Sequence, residues 1–289
     1  MQNQTQVAVV TGASSGIGKV AARALASQGW YVIAHGRDAA RTAAAETELR
    51  ATAAPGARVS MLRGDLSLLA DTARMAREIA GLTDKVHLLL NNAGGIRAEF
   101  VVTPEGNEAT FAGNHLGHFL LTQRLTPLLR AAAAANKPGT VRVVSVSSSA
   151  HEVCRGIDWS DLQLMRRWSS AASYCLAKLC NILFTRELAK RGAADGIVAN
   201  SMHPGIVASN FASHGDAQMQ SYLATRESLT PEVGADTLVW LATAPEAGRV
   251  TGGYFHQREP VPPAPAALDD AAAARLWTES EALVTRAGV

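Results

Sequence analysis

The sequence predicts a single-domain α/β fold, doubly wound, with a parallel sheet and helices on both faces. Three observations point there. Six short apolar runs are continuous rather than alternating, as strands buried on both faces are. Stretches with helical periodicity separate them, and strands joined by helical crossovers pair in parallel. The 289 residues contain no fixed-period repeat and no strongly charged tail, so one unit accounts for the chain. A chain of that size buries about 75% of its unfolded surface and needs no staples.

The elements follow in order. Val7–Val10 is the first strand, and a glycine-rich turn leads into a helix over Ile17–Gln28, apolar at i, i+3 and i+4. Tyr31–Ala34 is the second strand, with a helix from Ala39 to Ala51. Arg58–Leu62 leads to a helix near Leu68–Ala80, and Val86–Leu90 is the fourth strand. A long helical stretch, Glu105 to Ala135, is expected to bend around Gly113–Gly117. Val141–Val146, a long helix over Ser170–Arg191 and the strand Ile197–Ser201 complete the sheet. Beyond it, Val261–Ala267 is rich in Pro and Ala and reads as a surface connector, and Asp269–Leu283 has helical spacing.

Composition removes several functions. Lys and Arg number 27 against 25 Asp and Glu, a net charge of +2, which gives no electrostatic case for nucleic-acid binding. The three cysteines Cys154, Cys175 and Cys180 cannot all pair and show no metal-ligand spacing, so a reducing compartment is expected and no metal. Met1 to Gln6 is polar and unlike a leader, and no run is long and apolar enough to span a membrane. A soluble, cytoplasmic protein is expected.

Directly after the first strand stands Thr11-Gly12-Ala13-Ser14-Ser15-Gly16-Ile17-Gly18, opening a helix. Glycines there let the backbone approach a pyrophosphate, and the helix N-terminus offers free N–H groups. The spacing Gly-x-x-x-Gly-x-Gly resembles the short-chain dehydrogenase/reductase family. Asn91-Asn92-Ala93-Gly94, Asn114, Ser147-Ser148, the Tyr174-x-x-x-Lys178 pair and Pro204-Gly205 follow in the family's order, over Val7 to Ser209. The resemblance implies a Rossmann fold and a nicotinamide cofactor. It places Gly12, Ser14, Ser15, Gly16, Ile17 and Gly18 at the pyrophosphate, and Asp65 and Leu66 at the adenine. Asn92, Ala93 and Gly94 pass beneath the adenine ribose. Pro204, Gly205, Ile206 and Ser209, with Tyr174 and Lys178, meet the nicotinamide end. NAD-using relatives commonly carry Asp at the position matching Gly36. Here Arg37 follows and Arg41 lies one turn on, and a guanidinium holds a 2′-phosphate that a carboxylate would repel. NADP(H) is expected over NAD(H).

Tyr174 and Lys178 share one helix face. A phenol is a poor acid–base group at neutral pH, and a nearby cation is expected to lower its pKa. The resemblance implies that Tyr174 protonates a carbonyl oxygen, or deprotonates an alcohol in reverse. Ser148 bonds the same oxygen, with Ser147 as the fallback, and Asn114 holds a reprotonating water chain. Ser148 and Tyr174 stand further apart than in compact members, which marks an inserted segment of about 149–173. A C-terminal helical extension covers about 267–286. Ser148-Ser149-Ala150-His151, His115, Phe119 and Arg275-Leu276-Trp277 resemble the retinol dehydrogenase-like branch and its soluble bacterial relatives.

By analogy with that branch the substrate is a bulky apolar aldehyde or ketone, or the matching alcohol. A non-catalytic NADP(H) sensor is the rival reading. Relatives dimerise through their two long helices, so a homodimer is allowed. His115 and His118 read as core histidines, since no third ligand accompanies them. His151 either lines the pocket or packs. Cys154 is a candidate exposed thiol. Met219 and Tyr222, in a lid from His203 to Leu229, are candidate substrate contacts.

Overall fold

The computed structural model describes residues 5–208 and 215–289. One sheet runs through the molecule in the order β3-β2-β1-β4-β5-β6-β7-β8. Its strands are β1 (Val7–Val10), β2 (Tyr31–Gly36), β3 (Val59–Arg63), β4 (Leu88–Asn91), β5 (Arg142–Val146), β6 (Val198–Met202), β7 (Tyr254–His256) and β8 (Glu259–Pro260). All neighbours pair in parallel except β7 and β8, which form an antiparallel hairpin. Every residue of β1 and β4 is buried, as continuous apolar strands require.

Helices cover both faces. On one side lie α3 (Leu69–Leu82), α5 (Gly117–Ala134), α6 (Ser170–Gly192) and α9 (Asp270–Arg286), packed on Val9, Ile33, Leu89 and Val143. On the other lie α1 (Gly16–Ser27), α2 (Ala39–Thr52) and α8 (Pro231–Thr243), packed on Val10, Val32, Leu90 and Val144. The chain runs outward from β1 to β3, then crosses back to β4. That reversal opens a crevice beyond the C-terminal ends of β1 and β4, the usual ligand position in such sheets.

Three features depart from the expectations. The stretch from Glu105 to Ala135 begins with a short helix, α4 (Ala109–Phe111), passes through a π-helical turn over Ala112–Leu116, and continues as α5. The expected bend is thus a widened turn, which carries Asn114. The segment expected as a lid contains a helix, α7 (Ala217–Ala224), and its two ends meet in a bridge between Val207 and Leu229. Ser209 lies outside the described residues. The Pro/Ala-rich connector is partly interior, since Ala267 is fully buried against the α6 side of the sheet.

The C-terminal helix has a specific seat. Trp277 stacks on Phe184 with ring centroids 5.8 Å apart and meets Phe119 edge-on at 5.0 Å. The Arg191 guanidinium lies 4.5 Å from the Trp277 ring centre. Arg186 and Lys190 both reach Asp270 at 2.9 Å, and Ser280 bonds His115 at 2.9 Å. Helix α9 therefore lies along α6 and meets α5 at Phe119, on the pair of helices through which a homodimer is allowed.

Candidate active site

The turn between β1 and α1 is held from three sides. Gly12 has φ of +69°, and a Cβ there would lie 2.8 Å from the Ala93 Cα, so only glycine fits. Its N–H donates to Nδ1 of buried His35 at 3.3 Å, and the other His35 nitrogen donates to the Gly64 carbonyl at 2.9 Å. The Thr11 hydroxyl accepts the N–H groups of Asn92 and Ala93, both at 2.9 Å. It also meets Nε2 of His118 at 2.9 Å, while Nδ1 of His118 donates to the Asn114 carbonyl at 3.0 Å. One hydroxyl and one imidazole thus join the glycine turn, the Asn92–Gly94 turn and the π-helical turn. Burial pushes His118 down to about 3, so it stays neutral.

Tyr174, Lys178, Ser148 and Asn114 converge over the same crevice. The Tyr174 side chain hydrogen-bonds that of Ser148. Lys178 Nζ lies 5.5 Å from the Tyr174 ring centre and donates to the Val146 carbonyl at 3.1 Å. Ser147 is committed elsewhere, since its hydroxyl donates to the Lys178 carbonyl at 2.7 Å, and the fallback serine is therefore a brace for α6. The Asn114 amide is paired with the Gly95 backbone at 3.1 and 2.8 Å and with the Thr110 carbonyl at 2.8 Å. A Cβ at Gly94 would lie 2.5 Å from Asn114 Oδ1 and 3.1 Å from Lys178 Nζ, so this glycine keeps both groups open to the crevice.

The short chain dehydrogenase family profile matches residues 6–220. The chain belongs to the short-chain dehydrogenase family. This short-chain dehydrogenase is 36% identical over 284 residues to human retinol dehydrogenase 13, covering 96% of its own length and 83% of the relative. Its fold is similar to an uncharacterised protein from Mycobacterium Paratuberculosis, with a TM-score of 0.75 and 32% identity over 97% of this chain and 93% of that one. It is also similar to Pseudomonas aeruginosa RhlG in its NADP active-site complex, with a TM-score of 0.69 and 28% identity over 86% and 93% of the two chains. The protein is accordingly a retinol dehydrogenase-like NAD(P)-dependent oxidoreductase acting on CH–OH or C=O groups.

The crevice of this short-chain dehydrogenase fits such a cofactor. Ser15 at the start of α1 makes no side-chain cap, which leaves first-turn N–H groups for a pyrophosphate. Lys178 offers three donors and spends one on Val146. At the ribose end, Asp65 caps its own turn through the Ser67 N–H and hydroxyl, at 2.9 and 2.7 Å. Arg37 lies 3.8 Å from Asp65 and Arg41 lies 3.6 Å from Asp38, all with substantial exposure. Leu66 is buried beside them. After β6 the Leu229 N–H donates to the Ile206 carbonyl at 2.7 Å, which ties the Pro204–Ile206 turn to the start of α8. When bound, the nicotinamide supplies or accepts a hydride, and the chain's own residues orient it and handle the proton.

The pKa expectation for Tyr174 is reversed in the protein alone. Burial raises its phenol above the ordinary value, and the Ser148 hydrogen bond only partly offsets this. Lys178 is itself buried, which lowers it to about 8, so its charge is weakly held. A proton on Tyr174 is thereby retained at neutral pH, the form needed to protonate an oxyanion.

Sequence reasoning missed Glu108. Its carboxylate is 0% exposed and accepts from the Thr110 and Phe111 N–H groups at 2.9 and 2.7 Å, the Trp168 indole at 3.2 Å and the Ser173 hydroxyl at 2.7 Å. It links the start of the helix bearing Asn114 to the residue before Tyr174. Its position six residues before Asn114 was visible, but its partners are 60 and 65 residues away. His115 is a core histidine as read, ringed by Phe111, Phe119 and Phe184. Cys154 is half-buried, and burial lifts its thiol to about 11. Met219 is half-buried on α7. Tyr222 is half-exposed and lies under Arg226.

Proposed function

We propose that this enzyme reduces an apolar aldehyde or ketone with NADPH, Tyr174 giving the proton to the carbonyl oxygen and Ser148 bonding the same oxygen. The observation that carries the reading is the Tyr174–Ser148 hydrogen bond with the Lys178 ammonium beside the Tyr174 ring. Two donors then face one acceptor position, which stabilises charge developing on the substrate oxygen. Asn114, through its fixed backbone, supports the water chain that restores the Tyr174 proton. The name of the human relative favours a bulky apolar substrate. The same groups run in reverse as an NADP+-dependent alcohol dehydrogenase, and cofactor ratios set the direction.

The preference for NADP(H) is supported at the end of β2. A Cβ on Gly36 would lie 2.3 Å from Thr42 Oγ1 and 2.8 Å from the Ser14 Cβ, and that Thr42 hydroxyl is committed to the Asp38 carbonyl at 2.6 Å. A ribose-binding aspartate therefore has no room at position 36, while Arg37 and Arg41, exposed and held only by long ion pairs to Asp65 and Asp38, can turn toward a 2′-phosphate. We read the chain as one NADP(H)-binding unit, with residues 149–173 inserted and residues 267–286 appended. Among the described residues no helix is long and apolar enough to cross a membrane. A cytoplasmic enzyme agrees with that and with the three unpaired thiols.

The test is NADPH consumption against a panel of apolar aldehydes and ketones, beside NADH. Turnover that disappears in Tyr174→Phe, with a preference for NADPH that Arg37→Ala erodes, is the expected result. Turnover retained by Tyr174→Phe overturns the catalytic assignment, and equal use of both cofactors overturns the preference.

A further inference from the structure

The serine of the candidate site is held from behind by a residue that faces no substrate. His151 lies on the 3-10 turn Ser149–Val153 after β5 and is 0% exposed. Both of its ring nitrogens meet backbone groups. Nδ1 is 2.7 Å from the Ser148 carbonyl oxygen, and Nε2 is 3.0 Å from the Ala264 N–H. A carbonyl oxygen only accepts and an amide N–H only donates, so the ring is neutral with its proton on Nδ1. The ring plane packs edge-on against Tyr254, with centroids 5.1 Å apart at 74°. Tyr254 is itself stacked on His203 at 5.9 Å. The side chain therefore has no freedom to turn away.

The same Ser148 carbonyl also accepts the backbone N–H of His151 at 3.2 Å. Residue 151 grips it twice, once through the chain and once through the ring. On the other side of that peptide, Ser148 Oγ accepts the Ala150 N–H at 3.2 Å and bonds Tyr174. The orientation of the Ser148 peptide thus decides where its hydroxyl points. A displacement of about 1 Å in such a group can cost on the order of 100-fold in rate.

We infer that His151 is a positioning residue for Ser148: its Nδ1–H fixes the Ser148 peptide plane, and the Ala264 N–H fixes the tautomer that makes this possible. The segment after β8, 113 residues away in sequence, thereby becomes part of the support of the active site. This rests on the reading of Ser148 as a donor to the substrate oxygen.

Asparagine and glutamine separate the two halves of the imidazole. His151→Asn puts an amide N–H near the Nδ1 position and loses the acceptor for Ala264. His151→Gln reaches the Nε2 position with an oxygen and loses the donor to Ser148. With NADPH saturating and the best aldehyde of the panel, His151→Gln is expected to lower kcat about 10- to 100-fold and His151→Asn at most about 3-fold. KM and the NADPH Kd should stay near wild type in both. In a Ser148→Ala background, His151→Gln should lower kcat no further, because the group it aims is gone.

Ala264→Pro gives a second route that spares the histidine. Ala264 has φ of −55°, which the proline backbone adopts, and the substitution replaces the N–H by a ring Cδ that drives His151 Nε2 away, so the anchor of the imidazole is lost while residue 151 itself is unchanged. A fall in kcat at constant KM, again absent in the Ser148→Ala background, is expected. Equal kcat losses in the Asn and Gln variants, or losses that multiply with Ser148→Ala, overturn the inference, as does unchanged kcat in both His151→Gln and Ala264→Pro. If Ser148→Ala alone leaves kcat unchanged, the active-site reading itself falls, and the inference with it.

Discussion

Replacing His115 by leucine is expected to make folding less sensitive to acid, by an amount that follows from its surroundings. The imidazole sits among Phe111, Phe119 and Phe184, with Nε2 on Ser280 and Nδ1 without a partner among the described residues. Burial, then the neighbouring His118, lower its pKa to about 3, and His118 is held at about 3 chiefly by burial. An unfolded histidine titrates near 6.5. Both are bases with depressed folded values, so their contribution is full above about pH 6.5 and is lost as pH falls toward about 3. Between those limits the unfolded chain binds about two more protons than the folded one. Stability should then drop by about 2.7 kcal/mol per pH unit from this pair alone.

His115→Leu removes one of those protons and about 1.4 kcal/mol per pH unit of the slope. At pH 7 it leaves the Ser280 hydroxyl without its partner, a cost of about 1 kcal/mol. The two stability curves should therefore cross between about pH 5.5 and 6. Urea melts followed by tryptophan fluorescence from pH 7 to 4.5 would measure both slopes. Equal slopes for the two proteins would refute the reasoning, since His115 would then be taking up its proton in the folded state at an ordinary pKa.

Glu108→Ala strands four donors, three of them buried, and removes the cap of α4, and should cost about 3–5 kcal/mol, a fall of roughly 6–10 °C in Tm by calorimetry. Lys178→Met should abolish turnover yet stabilise the fold at pH 7 by up to about 3 kcal/mol, because the charged form of a buried lysine is penalised. With a folded pKa near 8 and an unfolded one near 10.4, that advantage should shrink as pH rises through this window; a constant difference in urea melts would contradict it. Light scattering should give the mass of a single chain, since α9 occupies the face of α6 and reaches α5 at Phe119. Trp277→Ala should cost about 3–5 kcal/mol and raise the tendency to self-associate.

What could be read from the sequence was what local spacing determines. The glycine turn follows β1 and opens α1, Tyr174 and Lys178 are one helical turn apart, and β1 and β4 are uninterrupted apolar runs. β7 escaped because it is three residues long beside Gly252 and Gly253, and only two of its residues register with β6. The roles of Glu108, His118 and His151 rest on partners dozens of residues away, which no periodicity encodes. The protonation of Tyr174 was misjudged because spacing shows a cation nearby but not that both groups are desolvated. Burial then sets the phenol, and the Ser148 hydrogen bond offsets it only in part.

The β7–β8 hairpin decides how this sheet ends. Its turn residues Gln257 and Arg258 both have positive φ, 51° and 65°, a conformation that side chains resist. The turn is nonetheless clamped, since Arg258 pairs with Asp236 and its N–H donates to Thr237 Oγ1 at 3.0 Å. Outside it, β8 presents Glu259, whose charge discourages apposition, and Pro260, which has no N–H to offer. A neighbouring molecule therefore finds no usable backbone row along this margin. The fold thus guards against sheet-to-sheet polymerisation on this side while leaving the crevice beyond β1 and β4, at the centre of the sheet, open.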